Sequence, residues 1–294
     1  MLTFVQTAYA AEEGIKIHLA PEVIGTFLGI PITSTLMTVW LTMAILIGIA
    51  ILIHFRLSPV PNKLQSIFET IIGGVFNYMA DVLESKVLAK RFFPLVMTIF
   101  IFILTMNWVG LLPGVDSVGF YGESESHEKV VETSAPHIDD PSKPHEEETT
   151  MIGQEESAAI VSKFIPFFHP PATDLNITIG FAIVAFVSIE LAGVFMLGLF
   201  KYGGKFINFK SPLAFVIGLI ELLSEMARLI SFSFRLFGNI FAGKTLILVI
   251  MFLTTPYFVP VPLIAYEFFV GFIQAFIFAI LTLYFIKLAI EEPH

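Results

Sequence analysis

The chain has no cysteine. Disulfides and thiolate metal sites are therefore excluded, and no redox compartment can be read. Charge is scarce as well. Only 14% of the 294 residues are Asp, Glu, Lys or Arg, against about a quarter in a soluble domain. No glycine-rich nucleotide loop, no HExxH pattern and no nucleophile–base constellation is visible, which leaves an active site without candidates. No long internal repeat is visible, which counts against transporters built from inverted repeats. The opening "MLTFVQTAYAAEEG" holds an Ala-Tyr-Ala that resembles a cleavage site, but it lacks a basic n-region and a proper apolar h-region.

Apolar residues are abundant, at 56% of the chain. Such a sequence belongs in a bilayer, where a span needs about 20 apolar residues to cross roughly 30 Å. Spans are expected at 35–56, 92–113 and 172–200, and two longer ones at 212–254 and 259–290, separated by "TTPYFVPVP". The stretch 62–90 differs. Leu64, Ile67, Phe68, Ile71, Ile72, Val75, Phe76 and Met79 follow helical spacing, while Lys63, Glu69, Asp81, Glu84 and Lys86 take other faces. It reads as one helix lying in the interface, since a sixth span would bury those charges. The expectation is an all-α membrane protein: five transmembrane helices plus one interfacial amphipathic helix, with the last two membrane helices long and strongly tilted.

Short connections rich in Lys and Arg face the cytoplasm. Arg56, Lys63, Lys86, Lys90 and Arg91 mark one such connection, and the basic loop 201–211, "KYGGKFINFK" with Ser211, marks another. The N-terminal segment 1–34 and the acidic loop 114–171 then lie outside and the C-terminus inside. That loop carries His127, His137 and His145, which read as solvated side chains of a polar, poorly ordered segment.

The fourth span carries Glu221, Glu225, Arg228, Arg235 and Asn239 at steps that keep them on one helix face, with Lys244 about half a turn away. An Arg, Lys or Asp at a span centre costs about 2.5–3.5 kcal/mol, against about 0.3–0.6 gained per Leu, Ile, Phe or Val. For Glu221, Glu225 and Arg228, pairing within the helix or snorkelling to the surface is an equal alternative to a functional role. Arg235 has no acid three or four residues away, so its partner is expected elsewhere. A helix of this length must tilt by roughly 60° to stay within the hydrocarbon, unless Gly238 or Gly243 breaks it. The last span adds Glu267 and Gln274 on one face. In an antiparallel arrangement Glu267 lies near the depth of Lys244, and either they pair or they are two unrelated interfacial charges. Glu190 in the third span is either a packing contact or a member of a channel. Arginine keeps its proton at any accessible pH, so it cannot relay one. It can hold a neighbouring carboxylate ionised and repel passing cations.

"RLFGNIFAGK" followed by "FFVGFIQAFIFAILTLYFIKLAIEE" strongly resembles subunit a of the F-type ATP synthase, the stator of its membrane motor. "MNWVGLLPG" at 106–114 and "PATDLN" at 171–176 resemble two further stretches of that family, in the same order. The resemblance implies a non-catalytic, proton-translocating subunit without a cofactor, packed against a rotating ring of c subunits. It also implies the b-subunit peripheral stalk and other synthase subunits as partners, a bilayer (most simply a bacterial inner membrane) as surroundings, and no nucleic acid. Arg235 matches the family's essential arginine, and Asn239 and Gln274 match polar positions beside it. Asn107, Lys244 and Glu267 match the outer half-channel; Glu221 and Arg228, with Glu225 between them, match polar positions on the cytoplasmic side. The chain departs from the family at Lys244, where many relatives carry an acid or histidine, at Glu267, where many carry histidine, and at Gly110, where some place an acid. Its outer loop is also long. The alternative is a self-contained ion-coupled transporter or channel with charged midplane helices. Co-purification of a ring of small two-helix proteins separates the two.

Overall fold

The computed structural model describes residues 23–27, 29–56, 63–125, 160–206, 211–254 and 258–291. The histidines of the acidic loop, Lys210 and most of the N-terminal segment lie outside the described residues. The chain divides into two units, Met1–Val118 with Pro166–His294, and Gly119–Ile165. The smaller holds β4 (Gly119–Glu125) paired with β5 (Ile160–Pro166).

The larger unit is helical. An antiparallel ribbon of β1 (Val23–Phe27) and β2 (Ile30–Thr33) leads into α1 (Ser34–Arg56). Then come α2 (Lys63–Val82), α3 (Lys86–Gly110), the strand β3 (Pro113–Asp116), a 3-10 turn (Pro171–Thr173) and α4 (Leu175–Leu197). The short α5 (Leu199–Phe206), α6 (Pro212–Leu253) and α7 (Pro260–Ile290) complete it. Five helices, α1, α3, α4, α6 and α7, are long and apolar enough to cross a membrane. Their outward residues, such as Leu52, Phe195 and Leu223, are large and apolar, as lipid contact requires.

The inward faces show why these helices pack. On α1, Thr35, Thr38 and Thr42 are buried on one side, and the hydroxyls of Thr38 and Thr42 donate to carbonyls one turn back. Ala182, Ala185 and Ala192 give α4 a small-residue face that lets α6 and α7 approach closely. Asp174 caps α4 by accepting from the Asn176 amide at 2.9 Å, and it accepts from the Thr35 hydroxyl at 2.8 Å, tying the starts of α1 and α4 together. Phe232 of α6 stacks on Phe278 of α7 at 4.7 Å in the core.

Several connections differ from the sequence expectation. The helix expected over 62–90 breaks at 83–85, and Lys86–Arg91 open α3 instead. Glu84 adopts a left-handed φ of 53°, and the Ser85 amide donates to the Ala80 carbonyl. This closes α2 with the bonding of a glycine-capped terminus without a glycine, so no residue announces it. Ser85 then caps α3 by accepting from the Leu88 amide. The segment read as loop 201–211 contains most of α5, and α4 stops at Gly198, whose φ is 83°. The outer connection and the N-terminal segment carry strands where loop was expected. No break occurs in α6: its 42 residues run helical through Gly238 and Gly243. At 1.5 Å per residue that is about 63 Å, twice the hydrocarbon thickness, so only an inclined path keeps it in the membrane.

Candidate functional site

Three groups of polar side chains lie along α6. Arg235 occupies the middle, about 10 Å along the axis from Arg228 and about 13 Å from Lys244. Its side chain is exposed, and its guanidinium donates to the Ser231 hydroxyl at 3.3 Å. Among the described residues no carboxylate pairs with it. It shares an open cleft of about 310 Å³ with Ser224, Ala227, Arg228 and Ser231 of α6 and with Leu281 and Phe285 of α7. Asn239, half-buried, follows one turn later. Gln274 on α7 is buried with its amide nitrogen unpartnered.

Toward the start of α6, Glu225 is buried to 2% exposure. It accepts from Arg228 at 2.6 Å, and Lys205 of α5 lies 3.7 Å away. Lys205 also pairs with Glu221 at 2.8 Å. The Arg228 guanidinium lies over the Phe285 ring, 4.0 Å from its centre. Close by, the Tyr202 hydroxyl donates to Glu190 at 2.9 Å, and the second Glu190 oxygen is buried without a partner. Burial, then the hydrogen bond to Glu190, pushes the Tyr202 phenol well above its ordinary pKa, so it stays protonated and donates. Two glycines permit this assembly. The Tyr202 ring lies against Gly193 where a Cβ would stand, and the Phe206 carbonyl lies against Gly218 in the same way. Glu190, ambiguous in sequence, therefore joins a cluster with Tyr202. Nothing in the sequence marks Lys205 and Tyr202 as members of this cluster, because the eight residues of α5 are too few to show a helical period.

Toward the end of α6, a cavity of about 410 Å³ is lined by Asn107, Asp116, Lys244 and Glu267, among otherwise mostly apolar residues. Lys244 and Glu267 do not pair. The Lys244 ammonium donates to Asp116 at 2.8 Å and lies 3.2 and 3.3 Å from the two ring nitrogens of His169. His169 Nδ1 is 2.5 Å from the other Asp116 oxygen. The Glu267 carboxyl packs on Gly243, and the next residue, Lys244, points about 100° away around the helix. Burial raises the Asp116 pKa, but the His169 hydrogen bond and the Lys244 charge together outweigh it and hold the carboxyl below its usual range. Asn107 donates to the Gly271 carbonyl at 3.3 Å, and its own amide oxygen is buried without a partner. Asp116 and His169 went unnoticed in sequence because both sit in a connection between spans.

The structure thus brings Glu225 and Arg228 together, with Glu221 linked through Lys205. It gathers Asn107, Lys244 and Glu267 around one cavity and, among the described residues, leaves Arg235 without an ionic partner between the two groups. Comparison with known proteins gives the family. The family described as ATP synthase A chain matches residues 36–287. ATP synthase subunit a of Geotalea uraniireducens is 31% identical over 255 residues, covering 87% of this chain and 86% of that protein. The subunit of Geotalea daltonii is 30% identical over 259 residues, with the same shares covered. That of Geobacter sulfurreducens is 28% identical over 255 residues. An array of five apolar helices with charged residues along its longest member, matched over nearly its full helical length, places the chain in the ATP synthase A chain family, as an integral membrane subunit a.

Proposed function

We propose that the chain is the proton-translocating stator of the F-type ATP synthase membrane sector. It offers two offset half-paths to a rotating ring of c subunits and performs no catalysis itself. The observation that carries this reading is the isolation of Arg235. An unpaired arginine in a span costs about 2.5–3.5 kcal/mol at the bilayer centre, so it needs a partner that another chain supplies. A ring carboxylate passing Arg235 is held ionised by it. The same permanent charge repels a proton that would otherwise leak straight between the half-paths.

The polar groups fall on either side of that barrier. Asn107, Lys244 and Glu267, with their cavity, form the outer half-path. Glu221, Glu225 and Arg228 form the cytoplasmic one, joined by Lys205, Tyr202 and Glu190. Asn239, one turn beyond the arginine on α6, and the buried Gln274 on α7 are the uncharged polar groups assigned to the region between the half-paths. The sector of α6 that carries Arg235 also carries Ser224, Ser231 and Ala242, all within about 40° around the axis, which allows close approach by another helix. The b-subunit stalk contacts other faces. The Lys and Arg distribution puts the C-terminus in the cytoplasm and the Lys244 end outside, in a bacterial plasma membrane.

The test is ATP-driven proton pumping by the assembled complex in inverted vesicles. Arg235→Ala abolishes pumping while ring and stator still co-purify. Pumping at the normal rate by that variant overturns the reading.

A further inference from the structure

We propose that His169 is the proton-accepting side chain at the mouth of the Lys244-side path, and that Lys244 beside it serves as a fixed cation and not as a relay. The proposal rests on the stator reading above and deepens it.

The geometry separates the two roles. Lys244 donates to Asp116 at 2.8 Å, so loss of its proton would leave that carboxylate without its charge partner. His169 reaches the other oxygen of the same carboxylate at 2.5 Å and keeps 28% of its side chain exposed, so water touches it. Asp116 in turn lines the cavity that Glu267 borders from α7. His169 is therefore part-exposed, with Nδ1 against a cavity-lining carboxylate and the Lys244 ammonium 3.2 Å from Nε2, so the fixed cation sits beside the nitrogen that takes the proton. Histidine is also the side chain that changes charge most readily near neutral pH.

The ring is held in place from both directions along its chain. Its backbone amide donates to the hydroxyl of Thr38 at 3.0 Å, and Thr38 is fully buried. The next residue, Pro170, packs within 3.0 Å of where a Cβ on Gly110 would stand. Gly110 is the departure at which some relatives place an acid, and here a side chain at that position would press on Pro170, beside His169. The charged groups that face His169 are Asp116 from β3 and Lys244 from α6. From α1 it meets the uncharged Thr38. Asp174, at the start of α4, is engaged by Thr35 and the Asn176 amide. Glu267 shares the cavity with Asp116 and Lys244.

The transfer balances without a co-reactant. Neutral His169, with its N–H at Nδ1 toward Asp116, takes a proton at Nε2 from hydronium, which is left as water. It releases the Nδ1 proton to Asp116, whose carboxylate gains an O–H bond as the N–H bond breaks. Asp116 gives that proton to cavity water, which carries it to Glu267, and rotation of the ring turns the remaining N–H toward Asp116 and restores the starting arrangement.

The experiment uses the whole synthase in liposomes, with synthesis driven by acidifying the Lys244 side. His169→Ala slows synthesis about 10-fold, less than the roughly 100-fold or more of a fully committed acid–base group because cavity water offers a bypass. Imidazole added on that side restores part of the rate. His169→Asn keeps an amide N–H for Asp116, so it would repair a purely structural role. On this proposal it stays as slow as the alanine variant, and its pH profile is flatter than that of the unaltered complex. An asparagine variant that assembles with its ring and runs at the unaltered rate overturns the proposal, even if the alanine variant fails to assemble. The stator reading fails separately, by pumping in Arg235→Ala, whatever His169 does.

Discussion

Removing Arg228 should expose the energetics of the polar cluster at the start of α6. Arg228→Ala deletes a charge-assisted bond of 2.6 Å to Glu225 and a guanidinium 4.0 Å from the Phe285 ring centre. The bond contributes about 1.5–3 kcal/mol and the stacked cation about 1–2 kcal/mol. Glu225, 2% exposed, is then left as a buried anion. Breaking such a pair from one side costs about 3–5 kcal/mol, and Lys205 at 3.7 Å compensates in part, so a loss of about 3 kcal/mol is expected. Glu225→Gln strands Arg228 less severely, because 14% of the arginine side chain is exposed, and should cost about 1–2 kcal/mol. Glu225→Gln with Arg228→Met removes both charges while keeping volume and should lie within about 1 kcal/mol of the unaltered protein. The cycle built from Arg228→Met, which is expected to cost about as much as Arg228→Ala, from Glu225→Gln and from their combination predicts a coupling of about 2 kcal/mol or more. It is read from unfolding in mixed micelles by titration with a denaturing detergent, followed by tryptophan fluorescence. A coupling below about 0.5 kcal/mol would show that the two charges act independently and that the reasoning is wrong.

Other substitutions test the remaining contacts. Gly218→Ala places a methyl group against the Phe206 carbonyl, which cannot rotate away. It should cost about 1–3 kcal/mol and make Lys205 more reactive to an amine reagent, with unchanged reactivity counting against the packing described. Asp116→Asn tests a depressed carboxylate. The folded value lies below the unfolded one, so its stabilisation is complete above the unfolded carboxylate value, about 3.9, and is lost as the pH falls through the folded value. The stability difference between the unaltered protein and the Asp116→Asn variant should thus not shrink from about pH 7 to about 5 and should shrink only in stronger acid; shrinkage already near pH 6 would refute it. Glu267→Gln removes a titratable group from the cavity wall and should slow proton uptake on that side, and an unchanged rate and pH profile would take Glu267 out of the path.

The five long apolar helices were legible because membrane spans are written in composition. The charged residues of α6 were legible because helical spacing puts them on one face. What escaped the sequence sat where spacing says nothing. The end of α2 at Glu84 uses a left-handed residue that is neither Gly nor Asn, so no breaker marks it. Lys205 and Tyr202 lie on α5, eight residues long and too short to show a period. Asp116 and His169 are 53 residues apart and meet only because β3 and the segment before α4 lie alongside each other. Lys244 and Glu267 share a depth, as an antiparallel pair of helices predicts. Depth does not fix azimuth, however, and Gly243, not Lys244, is the residue beneath the Glu267 carboxyl. The isolation of Arg235 was the one feature of the site that sequence anticipated from the absence of acids nearby, and among the described residues it has no ionic partner.

Because the chain has no cysteine of its own, single cysteines report contacts cleanly. Ser224→Cys and Ala242→Cys lie within about 20° of Arg235 around α6, and Met226→Cys lies about 180° away. Each is paired with a cysteine beside the carboxylate of the ring protein, and oxidation is followed on a non-reducing gel. Cross-linking from 224 and 242 but not from 226 is the outcome that an outward-facing Arg235, met by a neighbour's acid, requires. Cross-linking from 226 alone would turn the arginine away from the ring and contradict the account.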